Sequence, residues 1–214
     1  MSGLFLSFEG GEASGKSAQA RALADWLRAN GHEVILTREP GGTPLAERIR
    51  DVLLHAEEVA LAPEAQALLF SAARAQLARE VIRPALAAGT IVVADRFYDS
   101  TLAYQGYGHG ADLLGLMMVT RFAVGDLKPR RTFLLDVPVD VSFARSRARR
   151  GALDHWDRFE SDGREFHQRL RDGYLRLAAA EPERIVVVRG DRDEEVIAEE
   201  IRRSVDELLV PSTS

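Results

Sequence analysis

Short apolar runs alternate along this chain with longer stretches of helical periodicity. Leu4 to Phe8 is a compact apolar run that ends in Glu9-Gly10-Gly11, the pattern of a buried strand entering a tight loop. From Ser17 to Arg28 the apolar positions Ala20, Leu23, Ala24 and Leu27 recur at helical spacing, and Gly31 supplies a stop. Val34 to Thr37 predicts a second strand, closed by the turn-rich Arg38-Glu39-Pro40-Gly41-Gly42. Helical patterns follow over Pro44 to Leu54 and Pro63 to Ala88. Gly89 then breaks the chain before a β-branched strand, Thr90 to Ala94. A loop is expected after Asp95, then a helix from Asp112 to Val124, a strand from Arg131 to Val137 and a helix from Val139 to Arg149. Gly151 to Arg158 is polar and irregular. Gly163 to Ala180 reads as a long helix stopped by Pro182, Ile185 to Val188 as the last strand and Glu194 to Leu209 as the last helix. The tail from Pro211 to Ser214 is expected to fray.

Strands and helices thus alternate about five times. That order predicts an α/β fold with a mostly parallel sheet covered on both faces, binding ligands at the carboxyl ends of its strands. A length of 214 residues, 46% of them hydrophobic, allows one sizeable core, so a single domain over 1–214 is expected. The net charge of −5 argues against a general nucleic-acid or anionic-membrane binder. No cysteine is present, which excludes disulfides and thiolate metal sites. The apolar N-terminal stretch is too short for a signal peptide, and no run approaches a membrane span, so a cytoplasmic enzyme is the expectation. Lys16 and Lys128 are the only lysines, so Lys16 is not one of many surface ammonium groups.

The sharpest local signal is Gly10-Gly11-Glu12-Ala13-Ser14-Gly15-Lys16-Ser17, which fits G-x-x-x-x-G-K-[ST] between a strand and a helix. Glycines let backbone N–H groups curl around phosphate oxygens, and the helix start at Ala18 adds its dipole. Lys16 can reach the β- and γ-phosphates, and Ser17 can offer its hydroxyl to Mg²⁺. The motif specifies nucleotide phosphate binding but not the phosphate's acceptor. A GTPase reads guanine with Asn-Lys-x-Asp, and the sole asparagine is Asn30 at a helix end. Leu134-Leu135-Asp136 is a weak version of the acidic strand end of a motor ATPase, followed by Val137-Pro138. A small-molecule kinase fits the size best. Its chemistry calls for arginines at loop ends and a lid that excludes water. Arg38 and Arg96 follow strands, and Arg145, Arg147, Arg149 and Arg150 crowd one segment. That cluster reads either as a polar helix face or as part of a lid at about 145–160.

Val92-Val93-Ala94-Asp95-Arg96-Phe97-Tyr98-Asp99-Ser100-Thr101-Leu102-Ala103-Tyr104-Gln105 closely resembles the signature segment of thymidylate kinases. Phe8-Glu9-Gly10 with the P-loop, Thr37 to Thr43, Leu69 to Arg74 and Asp157-Arg158-Phe159-Glu160 are similar to that family as well, and in its order. The resemblance implies a P-loop nucleoside monophosphate kinase fold with five parallel strands. It also implies transfer of the ATP γ-phosphate to dTMP, giving dTDP and ADP on the way to dTTP, with Mg²⁺ and a homodimer.

The resemblance also assigns roles. Phe70 corresponds to the residue stacked on thymine, where a core aromatic is the alternative. Arg74, one turn on, corresponds to the arginine at a thymine carbonyl. Ser100 and Thr101 fall near the base's polar edge. Tyr104 falls beneath the deoxyribose, with Gln105 at a nucleotide contact. Arg38, Arg50 and Arg96 are candidates for the dTMP phosphate, a guanidinium fork suiting that group, and Pro40 joins them. Asp95 orients Mg²⁺ or its waters, or forms an ion pair with Arg96. Glu12 resembles the carboxylate at the acceptor sugar. Glu12, Ala13 and Ser14 bring no positive charge to the P-loop, so Arg147 and Arg150 of the lid are expected, with Lys16 and Arg96, to meet the transferred phosphate. Ala152 to Trp156 lengthens the spacing between Gly151 and Asp157. No histidine shows metal-ligand spacing.

Overall fold

The computed structural model describes residues 3–54, 61–150 and 163–209. Five parallel strands form one sheet in the order β2-β3-β1-β4-β5: β1 Phe5–Glu9, β2 Val34–Arg38, β3 Ile91–Asp95, β4 Arg131–Asp136 and β5 Ile185–Arg189. Helix α1, Lys16–Ala29, leads from β1 to β2. Helices α2 (Pro44–Leu54), α3 (Pro63–Leu77) and α4 (Arg83–Ala87) lead to β3. Beyond β3 come α5 (Tyr98–Thr101) and α6 (Leu113–Val124). Then α7 (Val139–Arg150) and α8 (Arg164–Ala180) lie between β4 and β5, and α9 (Glu194–Leu209) closes the chain. The first crossovers build the sheet to one side of β1 and the later ones to the other. The crevice at the carboxyl end of β1 is therefore the topological switch point.

Strand alternation divides β1 between two layers. Leu6 and Phe8 face α1 and α9, in a core with Leu23, Leu27, Phe133, Val188 and Ile201. Phe5 faces the opposite layer, with Leu77, Ile82, Val92 and Phe97. Ser7 and Glu9, on the side of Phe5, are polar yet buried. Ser7 Oγ lies 2.8 Å from Thr132 Oγ1, and Glu9 sits under the binding crevice. A further cluster under α8 joins Tyr104, Leu134, Phe166, Leu170 and Tyr174.

The fold departs from the periodicity reading in two places. The helix expected over Pro63–Ala88 contains a π-helical segment at Ala78–Ile82. Pro84 lacks an N–H, and its ring would crowd the carbonyl one turn back, so a widened turn before it keeps the helix running. The loop expected after Asp95 is instead α5, continued by a π-helical segment over Leu102–Gly108. That stretch has no helical apolar stripe. It is helical because distant side chains fasten it, as described below. The apolar repeat is otherwise reproduced to within a residue or two at most element ends. Asp157 to Glu160 and the part of the expected lid after Arg150 lie outside the described residues.

Candidate active site

The P-loop starts where β1 ends. Gly10 has φ 143°, and a Cβ there would stand 2.7 Å from the Leu135 carbonyl oxygen, so a side chain is excluded. Ala13 and Gly15 also take positive φ, at 52° and 91°, and α1 begins at Lys16. The first N–H groups of α1 thereby face the crevice, a ready anion site. Lys16 is buried, and its Nζ donates to Gly11 O at 3.1 Å. Burial and then the Arg96 cation pull its pKa below the usual lysine value, against Glu12, Asp95 and Glu9. An incoming phosphate supplies the negative charge this ammonium needs. Ser17 Oγ donates to Asp95 Oδ2. Asp95 Oδ1 is buried with no hydrogen-bond partner among the described residues.

A cavity of about 530 Å³ joins this loop to an aromatic and amide-lined end. Glu12, Ala13, Ser14, Gly15, Lys16, Ser17 and Ala18 line one side. Arg38, Pro40, Arg50 and Asp95 line the middle. Phe70, Arg96, Ser100, Thr101, Tyr104 and Gln105 line the far side. Gly10 and Gly11 border a smaller void behind the loop instead. Arg50 Nη1 donates to Pro40 O at 2.9 Å, across the cis Glu39–Pro40 turn. Arg38 is exposed and pairs with Glu47 at 3.1 Å.

Arg96 is the hub of the far side. It takes φ 75°, a conformation rare for a residue with a Cβ. Its Nη2 donates to Glu12 Oε1 and Tyr104 Oη, each at 2.9 Å. Its Nη1 reaches Gly10 O, Ser100 Oγ and Tyr174 Oη at 3.1, 3.1 and 3.2 Å. Burial works against its charge, yet Tyr104, Glu12, Tyr174 and Glu9 outweigh that and hold it well above the ordinary arginine value. Tyr104 Oη also donates to Glu12 Oε1 at 2.6 Å. Glu12 therefore turns away from the phosphate loop and towards Arg96.

Several residues at this end carry no mark in the local sequence pattern. Glu9 Oε1 accepts from the N–H groups of Phe97 and Ser100 at 2.8 and 3.3 Å, capping α5 from another strand. Its Oε2 accepts from Ser100 Oγ and Tyr174 Oη at 2.5 and 2.9 Å. Burial, then the charge of Asp99, push its pKa up to about 7 against Arg96, Ser100 and Phe97. Period-two alternation from Phe5 could have flagged Glu9 as inward-facing. Asp99 forms a bidentate pair with Arg184 at 2.7 Å for both contacts, and Arg184 also reaches Thr132. Together Glu9 and Asp99 fasten the helix that the pattern reading left as loop. Glu39 also lines the cavity. Burial raises its pKa to about 7 despite Arg74.

Arg74 stands outside the cavity lining and is buried. Its Nε pairs with Glu39 at 2.7 Å and its Nη2 donates to Thr101 Oγ1 at 3.0 Å. Its Nη1 has no hydrogen-bond partner among the described residues. Gln105 Nε2 donates to the buried Gln66 at 3.2 Å. On α7, Arg145 lines the cavity and donates to Gly190 O at 2.8 Å. Arg147 is exposed, stands outside the lining and donates from Nε to Phe143 O at 3.4 Å. Two residues along a helix point to different faces, which separates these two arginines. The Arg150 side chain lies outside the described residues. Asp136, the weak acidic strand end, is held bidentately by Arg171 at 2.7 and 2.9 Å.

Residues 8–201 match the family model described as thymidylate kinase. The thymidylate kinase of Pseudomonas fluorescens (strain Pf-5) is 49% identical over 209 residues, covering 98% of this chain and 96% of that protein. That of Roseiflexus sp. (strain RS-1) is 48% identical over 218 residues, with the same coverage of 98% and 96%. Among solved structures, the crystal structure of thymidylate kinase from Ehrlichia chaffeensis aligns with a TM-score of 0.76 at 32% identity, covering 96% of this chain and 99% of that one.

Proposed function

The chain belongs to the thymidylate kinase family, and we propose that its cavity seats dTMP between Phe70 and Arg96, facing an ATP γ-phosphate held by the P-loop. Its activity is that of the family, phosphoryl transfer to dTMP in nucleotide biosynthesis. The observation that carries the placement is one continuous cavity with a phosphate loop at one end and Phe70, Tyr104 and Gln105 at the other. Phosphoryl transfer asks the protein for alignment and for charges placed where negative charge develops. Lys16 and the N–H groups from Gly11 to Ala18 hold the donor phosphates. Arg96, with Arg38 and Arg50, holds the acceptor phosphate. Phe70 stacks on the base, and Arg74, through its spare Nη1, reads the base edge with Ser100, Thr101 and Gln105. Glu12 and Tyr104 face the sugar beside Arg96.

Ser17 and Asp95 would hold Mg²⁺. The buried, unpartnered Asp95 Oδ1 beside a hydroxyl is a hard-oxygen pair that suits an ion keeping most of its water and phosphate ligands. When bound, Mg²⁺ supplies positive charge to the donor phosphates. A lid at about 145–160 carries Arg147 and Arg150 towards the transferred group, and Arg145 stands at its foot. A second copy of the chain covers α6, where Leu114, Met117, Met118 and Phe122 are exposed, Phe122 to 95%. Those four recur at helical spacing as one apolar face. Among the described residues no helix is long and apolar enough to cross a membrane, and a cytoplasmic location stays part of this reading.

A coupled ADP-release assay with dTMP, dUMP, UMP, AMP and thymidine tests the acceptor assignment. Turnover is expected to be highest with dTMP and absent with thymidine, which lacks the accepting phosphate. No turnover above background with dTMP would sink it.

A further inference from the structure

We propose that Tyr174 is a positioning residue for Arg96, holding its guanidinium from behind so that it meets the acceptor's phosphate. This rests on the assignment of Arg96 to that phosphate. Glu12, Ser100 and Tyr104 contact Arg96 from within the large cavity. Tyr174 and Gly10 contact it from the opposite side, across a void of about 30 Å³ behind the P-loop. Tyr174 belongs to α8, far along the chain from every segment with a binding motif.

The direction of the hydrogen bonds gives the phenol its task. An ionised Glu9 only accepts. Its Oε2 takes a proton from Tyr174 Oη and one from Ser100 Oγ, at 2.9 and 2.5 Å. With those protons committed, both hydroxyl oxygens turn lone pairs towards Arg96 Nη1, at 3.2 and 3.1 Å. The two oxygens also lie 3.0 Å from each other. Glu9 thus orients two hydroxyls, and these orient Arg96. Burial raises the phenol's pKa well above its ordinary value, so it remains a donor to Glu9.

Packing alone does not call for a hydroxyl here. Phe166 and Leu170 occupy the same buried face of α8 one and two turns earlier, and both are apolar. A buried hydroxyl is unfavourable unless its bonds are made, and this one makes three contacts. The height of the ring is fixed by Gly173, where a Cβ would stand 2.4 Å from Tyr107 Cβ. Any side chain at 173 would lift α8 off the segment carrying Tyr104.

Calorimetric titration of dTMP and of thymidine separates positioning from general support, because thymidine lacks the phosphate. Tyr174→Phe is expected to weaken dTMP about tenfold and to leave thymidine within about twofold. Equal weakening of both, or no change in either, overturns the proposal. Arg96→Ala keeps the underlying assignment separate. If that variant retains the normal preference for dTMP over thymidine, the assignment of Arg96 itself fails. If it loses the preference while Tyr174→Phe does not, Arg96 stands and Tyr174 falls. The double variant should lose no more preference than Arg96→Ala alone, and additive losses count against the coupling. Should Tyr174→Phe fold poorly, Glu9→Gln keeps the ring and disturbs the proton order. It should give the same selective loss, and weakening shared by both ligands overturns the proposal there too.

Discussion

The two ends of the cavity are built by opposite means. The P-loop end comes from consecutive residues, and its grip is largely backbone, shaped by positive φ at Gly10, Ala13 and Gly15. The acceptor end is assembled from side chains far apart in the chain. Arg74 and Glu39 are 35 residues apart, Asp99 and Arg184 are 85 apart, and Glu9 and Tyr174 are 165 apart. A backbone grip survives changes elsewhere if its turn is kept. A side-chain assembly is also part of the core, so its polar contacts hold the fold as well as the ligand. Rate and stability should therefore separate at the first end and move together at the second.

The largest expected effect lies at the P-loop. Lys16→Met removes the one ammonium from the phosphate loop and should lower kcat by roughly 10³, with unfolding free energy changed by less than about 1 kcal/mol. Urea denaturation and steady-state kinetics on the same preparation check both halves. Wild-type turnover would break the role given to Lys16. Next, Asp99→Ala leaves Arg184 short of its bidentate partner in a buried site. A loss of about 3 kcal/mol in unfolding free energy is expected, accompanied by weaker dTMP binding. A loss in affinity with unchanged stability would show that the acceptor end is as separable as the P-loop.

The smallest effect sharpens the comparison through pH. Glu9 sits at about 7 in the fold against an ordinary 4.5. Between those values the native state keeps a proton that the unfolded chain has released. The contribution is full below the lower value and lost as pH rises through the upper. The stability of the wild type relative to Glu9→Gln should therefore fall between pH 4.5 and 7, by roughly 2 kcal/mol. Urea titrations at intervals across that range check it, and a flat difference would remove Glu9 from the charge balance of the site.

What could be read from the sequence follows the same division. The P-loop was legible because its chemistry is local: glycines, a lysine and a serine at fixed spacing between a strand and a helix. The parallel sheet was legible because apolar runs and helical stripes alternate along the chain. Phe70, Tyr104 and Gln105 entered by family likeness, since by periodicity alone Phe70 and Tyr104 read as core. Glu9, Asp99, Arg184 and Tyr174 were not marked as a set. Each is a common residue type whose partner lies on another element, and only the crossovers bring them together. The same contacts turn the polar stretch after Asp95 into helix α5, against its own weak periodicity. Arg145 was visible in an arginine-rich run, but its separation from Arg147 depends on which face of α7 meets the cavity.

The backbone at Arg96, with φ 75°, bears on how this position can vary. Glycine would occupy that conformation without strain and relieve roughly 1 kcal/mol or more. Random drift towards greater stability would therefore favour glycine at residue 96. An arginine there sets a floor under what its guanidinium contributes, because that contribution has to exceed the steric cost in every generation. The position is a place where a thermostabilised descendant of this chain would be expected to trade turnover for robustness.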